Sequence, residues 1–159
     1  MDNKKILFIE DNSAHAKLME IALGKHCKNC EVVHITDGQE AIDWLEITRD
    51  ESVENLPRLV LLDLNIPTIN GIEVLKKIKK DSILKLLPVV ILTTSNSNTD
   101  IKMCYEENAN SYLVKPIIYD EYSKLMEIVK TYWMDSSKPI NIEYNNRCIF
   151  VPLSDQLNR

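Results

Sequence analysis

At four places in this sequence a short apolar run ends in a residue that can do chemistry. Glu10-Asp11 follows ILFI, Asp63 follows LVLL with Asn65 just beyond, Thr93-Thr94 follows VVIL, and Lys115-Pro116 follows YLV. Carboxylates gathered at one point repel, so such a site needs a cation or raised carboxyl pKa values. A hard divalent ion with oxygen ligands meets that need, and Mg²⁺ keeps several waters and pairs with phosphate groups. Lys115 and the Thr93 hydroxyl add donors. Together these are the parts for phosphoryl transfer: a carboxylate nucleophile in Asp63, a charge-neutralising metal, and donors for equatorial oxygens. Each residue alone has a plainer use. An Asp after a strand makes a turn, and Glu-Asp-Asn before a helix caps it in a favourable dipole. A Thr there is a β-former, and Lys-Pro a surface turn. The joint placement at four strand ends outweighs these uses.

Such residues meet only if the runs lie side by side. Ile6–Ile9 is a continuous apolar run, suited to a strand buried on both faces. Leu59–Leu62 is the most apolar strand, and Val32–Ile35, Val89–Leu92 and Tyr112–Val114 read as three more, the second strand at the sheet edge. Helical periods separate them. Asn12 or Ser13 caps a first helix with a stripe of Ala14, Leu18, Ile21 and Ala22, and Thr36–Gln39 fits a capping box before Ala41, Ile42 and Leu45. Thr48–Asn55 reads as a polar loop, closed by Pro57. Val74, Leu75 and Ile78 mark a third helix, and Ile101, Cys104 and Tyr105 a fourth that ends near Asn108. Tyr122, Leu125, Met126 and Val129 carry a fifth, to about Trp133. Five β/α repeats predict an α/β fold, a parallel sheet with helices on both faces. Ligands of open α/β sheets bind beyond the carboxyl ends of the strands, where these residues fall. Residues 134–159 leave the pattern and read as an extension.

With 159 residues, 45% hydrophobic and 27% charged, the chain has the composition of one soluble domain. A net charge of -5 gives no basic footprint for nucleic acid. The opening MDNKKILFIED has too short an apolar run for a signal sequence or membrane span, which points to the cytoplasm. Three glycines leave no Gly-rich loop for a nucleotide, and no GxSxG or HExxH occurs. Of the four cysteines, Cys27 and Cys30 form a CxxC after His26. A structural zinc wants four ligands, and the spacing of His15 and His34 does not supply the rest. The pair precedes a strand rather than opening a helix, against a redox motif. Reduced thiols, an incidental surface pair and a core Cys104 are expected.

ILFIEDN, LVLLDLNIPTINGIEVLKKIK, PVVILTTS and SYLVKP resemble the receiver domain of two-component response regulators over residues 4–133. Asp63 to Thr93 is 30 residues and Thr93 to Lys115 is 22, as that family spaces them. The resemblance implies a flavodoxin-like (βα)5 three-layer sandwich with strand order 2-1-3-4-5. It implies Asp63 as phosphoacceptor, Asp11 as direct Mg²⁺ ligand, Glu10 acting on the metal through water, and Asn65 giving a backbone carbonyl. Thr93 would bind the phosphoryl group, Thr94 offer its N–H, and Lys115 pair with phosphoryl oxygens, held by a cis bond to Pro116. Tyr112 falls at the aromatic switch position coupled to Thr93. Asn65 and Ser95 flank the site. Three departures stand out: Glu10 for the commoner Asp, Asn108 where Gly often ends the fourth helix, and a longer loop before strand three. EDN, LLDLN-P, LTTSN and Tyr132-Trp133 are similar to small stand-alone regulators that partner phytochrome histidine kinases.

The implied function is a single-domain response regulator of a phosphorelay, residues 1–133, with 134–159 as a dimerisation or packing arm. Its partner is a sensor histidine kinase or phosphotransfer protein. Its output is a protein contact, such as a homodimer through helix four, strand five, helix five and the arm, with Tyr132, Trp133 and Ile149 either anchoring that interface or packing onto their own domain. It needs no nucleic acid and no membrane. It is not an enzyme beyond slow loss of its own phosphate. Two rivals stand beside it: a pseudo-receiver of the same fold that takes no phosphate, and a phosphatase with an aspartyl intermediate, for which no cap or substrate pocket is in view.

Overall fold

The apolar runs become β1 (Lys5–Ile9), β2 (Glu31–Ile35), β3 (Leu59–Leu62), β4 (Val89–Thr93) and β5 (Ser111–Val114). Between and after them lie α1 (Ser13–His26), α2 (Gly38–Glu51), α3 (Gly71–Lys80), α4 (Asn98–Glu106) and α5 (Tyr119–Val129). This computed structural model describes residues 4–139 and, as backbone strands only, 142–144 and 147–150. The five strands are parallel, in the order β2-β1-β3-β4-β5. That is the flavodoxin-like sheet the resemblance implies.

β1 from Ile6 on, all of β3, and β4 up to Leu92 are apolar because each is buried on both faces. Successive side chains alternate between the two layers. Leu7, Ile9, Val60, Leu62, Val89 and Ile91 meet α2, α3 and α4 through Leu45, Leu75, Ile78 and Cys104. Ile6, Phe8, Leu59, Leu61, Val90 and Leu92 meet α1 and α5 through Met19, Leu23, Tyr122 and Met126. Asn12, Asp37, Asn70 and Ser97 each accept a backbone N–H at a helix start. Asn108 takes the left-handed conformation with φ 65°, as the end of α4 requires.

The structure corrects several local readings. α1 buries Ala16, Met19, Ala22 and Leu23, while Ala14 and Ile21 face solvent. Its alanines fit more than one stripe, and packing against Phe8 and α5 selects this one. The cap of α2 is Asp37 rather than Thr36, and Gln39 turns to Asp43. The polar stretch after Thr48 continues α2 to Glu51 and then makes a 3₁₀ turn, Val53–Asn55, with Thr48 itself buried. Cys27 and Cys30 are joined in a disulfide, not reduced, and Cys27 is buried. α1 ends at His26, and the turn beyond brings the two Cα atoms to 5.5 Å, within bridging reach.

After α5 the backbone continues in a π-helical turn, Lys130–Ser136, which buries Met134 beneath α1 and α5. Arg58 Nη2 donates to the Ser137 carbonyl at 2.6 Å, and Lys4 and Lys130 both reach Asp135. The start of the extension therefore lies against its own domain. An antiparallel hairpin follows, β6 (Ile142–Tyr144) and β7 (Arg147–Phe150). The Ile149 and Cys148 side chains lie outside the described residues.

Candidate functional site

β1 and β3 are hydrogen-bonded neighbours at the centre of the sheet, so the residues leaving them emerge side by side. Glu10 N–H donates to the Ile35 carbonyl and Asp63 N–H to the Ile9 carbonyl, at 3.1 and 3.0 Å. The ladder thus extends one residue into each acid and fixes both. Across β4, Lys115 N–H donates to the Thr93 carbonyl at 2.7 Å. Gly71 completes the frame. A Cβ there would stand 2.3 Å from the Asp63 carbonyl oxygen, so only glycine lets α3 start this close.

Lys115 Nζ donates to Asp63 Oδ2 at 2.7 Å and also to Glu10 Oε2. All three groups are buried. Asp63 Oδ1 accepts the Asn65 N–H at 3.2 Å, and Glu10 Oε1 accepts the Asn12 N–H at 3.0 Å. Burial works to raise the Asp63 pKa, but the Lys115 bond and charge outweigh it and hold the carboxyl below its ordinary value. At Glu10 burial wins over the same lysine, and the pKa is raised. One cation cannot neutralise two buried acids. The raised Glu10 pKa meets part of the excess negative charge, and a second cation would meet it as well.

A cleft of about 500 Å³ opens above this pair, lined by Glu10, Asp11, Asn12, His15, Asp63, Asn65 and Thr94 among others. The structure therefore gathers Glu10, Asp11, Asp63, Asn65 and Thr94 around one space, with Lys115 as the buried counter-charge. Asp11 is exposed at the lip, while Glu10 is the acid bonded to Lys115. Thr93 is fully buried, and its Oγ1 accepts the Ser95 N–H at 3.5 Å. Tyr112 is half-buried and donates through its hydroxyl to the Ser95 carbonyl at 3.0 Å. Ser95 Oγ in turn donates to Asp100 at 2.6 Å, so the β4–α4 loop joins Tyr112 to the start of α4.

Two points differ from the sequence reading. The Lys115–Pro116 bond is trans, since no cis peptide occurs among the described residues. Trans is the lower-energy isomer, and Lys115 reaches both acids without the alternative. The second point is His15, considered from the sequence only for zinc. Its ring enters the acid cluster, with Nδ1 3.2 Å from Lys115 Nζ. No spacing rule announces this, because the contact spans 100 residues.

Residues 6–130 match the response regulator receiver domain model. This chain belongs to the receiver domain family. Among its relatives, the probable methanogenesis regulatory protein FilR2 of Methanothrix harundinacea is 40% identical, over 81% of this chain and 83% of that protein. Response regulator Rcp1 of Synechocystis is 34% identical, over 84% of this chain and 90% of its own length. The phosphorylated cyanobacterial phytochrome response regulator RcpA superposes with a TM-score of 0.79 at 35% identity, over 86% of this chain and 97% of that one. A Mn²⁺-bound form of Rcp1 gives 0.78 at 33% identity, over 86% and 99%. The receiver resemblance and the sheet order read from the sequence are both borne out. The acid cluster of this receiver, with its Glu, Asp and His donors, fits a divalent ion. No helix among its described residues is long and apolar enough to cross a membrane.

Proposed function

We propose that Asp63 of this receiver accepts a phosphoryl group from the phosphohistidine of a sensor histidine kinase or phosphotransfer protein. The observation that carries this is the meeting of Glu10, Asp63 and Lys115 beneath an open, polar cleft. Asp63 is held in its ionised form, so an oxygen is ready to attack phosphorus. The new P–O bond forms as the P–N bond breaks, and the departing imidazole takes up a proton.

Asp11, Asp63, the Asn65 backbone carbonyl and, through water, Glu10 would hold Mg²⁺, which supplies charge neutralisation for the incoming phosphate. The oxygen-rich cleft and its single buried cation fit that ion. Thr93 and Lys115 then bind the added oxygens, with the Thr94 N–H beside them. Moving the Thr93 hydroxyl alters the loop that Ser95 shares with Tyr112, and so the face formed by α4, β5 and α5. That face exposes Met103, Tyr105, Val114 and Ile118, which suits output by protein contact, including pairing of two copies with help from the extension. Likeness to the phytochrome response regulator RcpA supports a phytochrome-type kinase as donor. The receiver is a phosphoacceptor and not a turnover enzyme.

Acetyl phosphate with Mg²⁺ should add one phosphoryl mass to the chain, and Asp63→Asn should remove it. No label under any donor, with Mg²⁺ present, would leave the pseudo-receiver reading standing. Steady hydrolysis of generic phosphomonoesters would instead establish the phosphatase.

A further inference from the structure

Two of the three histidines are engaged away from the cleft. His26 Nε2 pairs with Ser123 Oγ at 3.0 Å, and His34 Nε2 with the Glu10 carbonyl at 2.7 Å. His15 differs. Its backbone N–H closes the cap of α1 on Asn12, which leaves the ring free of any capping duty. Nδ1 lies 3.2 Å from Lys115 Nζ and 3.7 Å from Glu10 Oε2. An ammonium only donates, so Nδ1 is the acceptor of this contact and its lone pair faces Lys115 Nζ. Glu10 Oε2 and Asp63 Oδ2 accept from the same Nζ, so an ion in the place of that ammonium would meet all three atoms. One ligand atom from each of the three lies within 4.8 Å of the others, and a side-chain cation already stands between them.

We propose that His15 is a nitrogen ligand of the divalent-ion site beside Asp63, and that it turns the site's preference from Mg²⁺ toward transition ions. The inference rests on the phosphoacceptor reading of this cleft and deepens it. Mg²⁺ is hard, favours oxygen and keeps its waters, so an imidazole adds little to its binding. Mn²⁺ and Ni²⁺ accept imidazole, and affinity rises from the first to the second. The His15 side chain is 38% exposed and lines the cleft, so it can serve an ion there.

Pulsed EPR of the Mn²⁺-loaded full chain reads this directly as a ¹⁴N coupling, present in the parent and lost in His15→Ala. Calorimetric titration gives the preference. His15→Ala should lower Ni²⁺ affinity by about tenfold or more, since even outer-shell losses cost that much, and Mg²⁺ affinity far less. His15→Gln keeps the side chain's bulk without the ring nitrogen and should repeat the loss, separating ligation from packing. Absence of nitrogen coupling in the parent, its persistence in His15→Ala, or equal loss for both ions would overturn the assignment. Acetyl phosphate labelling keeps the two readings apart. Labelled Asp63 without nitrogen coupling sinks the His15 inference alone, and coupling with Asp63 unlabelled sinks the phosphoacceptor reading alone.

Discussion

β3 and β5 both end at the cleft, yet they are built differently. β3 is LVLL, with every side chain fully buried between two helical layers. β5 is SYLV at the sheet edge, half-buried, with Val114 exposed. Asp63 leaves the first and Lys115 the second. The acid is therefore set by the core, and its cation is delivered by an edge with room to shift. The proposed switch would use that asymmetry, with one partner set in the core and the other carried by the less buried edge.

Deleting side chains from the two strands tests the contrast most strongly. Leu61→Ala should cost about 2–5 kcal/mol in urea unfolding, as for a buried leucine. Leu113→Ala should cost about half of that or less. Equal costs would remove the distinction between fixed and movable strands.

Lys115→Met comes next, at about 3 kcal/mol at neutral pH, the low end for breaking a buried pair because water reaches the cleft. Without the cation, burial raises the folded-state pKa of both Glu10 and Asp63 above the unfolded values. The folded variant then binds protons more readily than its unfolded chain, so its stability rises as pH falls through those raised values. The parent keeps Asp63 depressed and loses that acid's contribution at low pH. The two unfolding curves should converge on acidification, and a gap constant with pH would show that Lys115 is not the counter-charge.

Gly71→Ala should cost about 1–3 kcal/mol by overpacking α3 against the Asp63 backbone. It should also slow phosphoryl uptake, and normal uptake would mean that the acid's position is not critical. Tyr112→Phe is the mildest. Loss of the half-buried bond to the Ser95 carbonyl should cost about 1 kcal/mol or less, with faster amide exchange confined to the β4–α4 loop. Faster exchange at β3 instead would mean that the edge and the centre are coupled as one.

The strands were legible because a strand buried on both faces is an unbroken apolar run, and such runs end with β1 and β3 and one residue before the end of β4. The acids, Thr93 and Lys115 were legible because a parallel sheet brings strand ends together. α1 was misread by its inward face, since an alanine-rich helix shows little contrast between faces and its partners decide. The Cys27–Cys30 bridge depends on how one turn folds back, which two cysteines and a spacing do not reveal. His15 was weighed only as a zinc ligand, because its use depends on a lysine that reaches it from across the sheet.

Glu10 and Lys115 are separated by 105 residues, and Asp63 and Lys115 by 52. During synthesis both acids leave the ribosome well before their cation does. At roughly 5–20 residues per second, Asp63 waits for about 3–10 s with no amine to meet. A nascent chain that stops short of β5 thus carries two carboxylates whose burial at neutral pH nothing offsets. The acids gain their counter-charge only once β5 arrives, so Lys115 ties the cluster to completion of the five-stranded sheet.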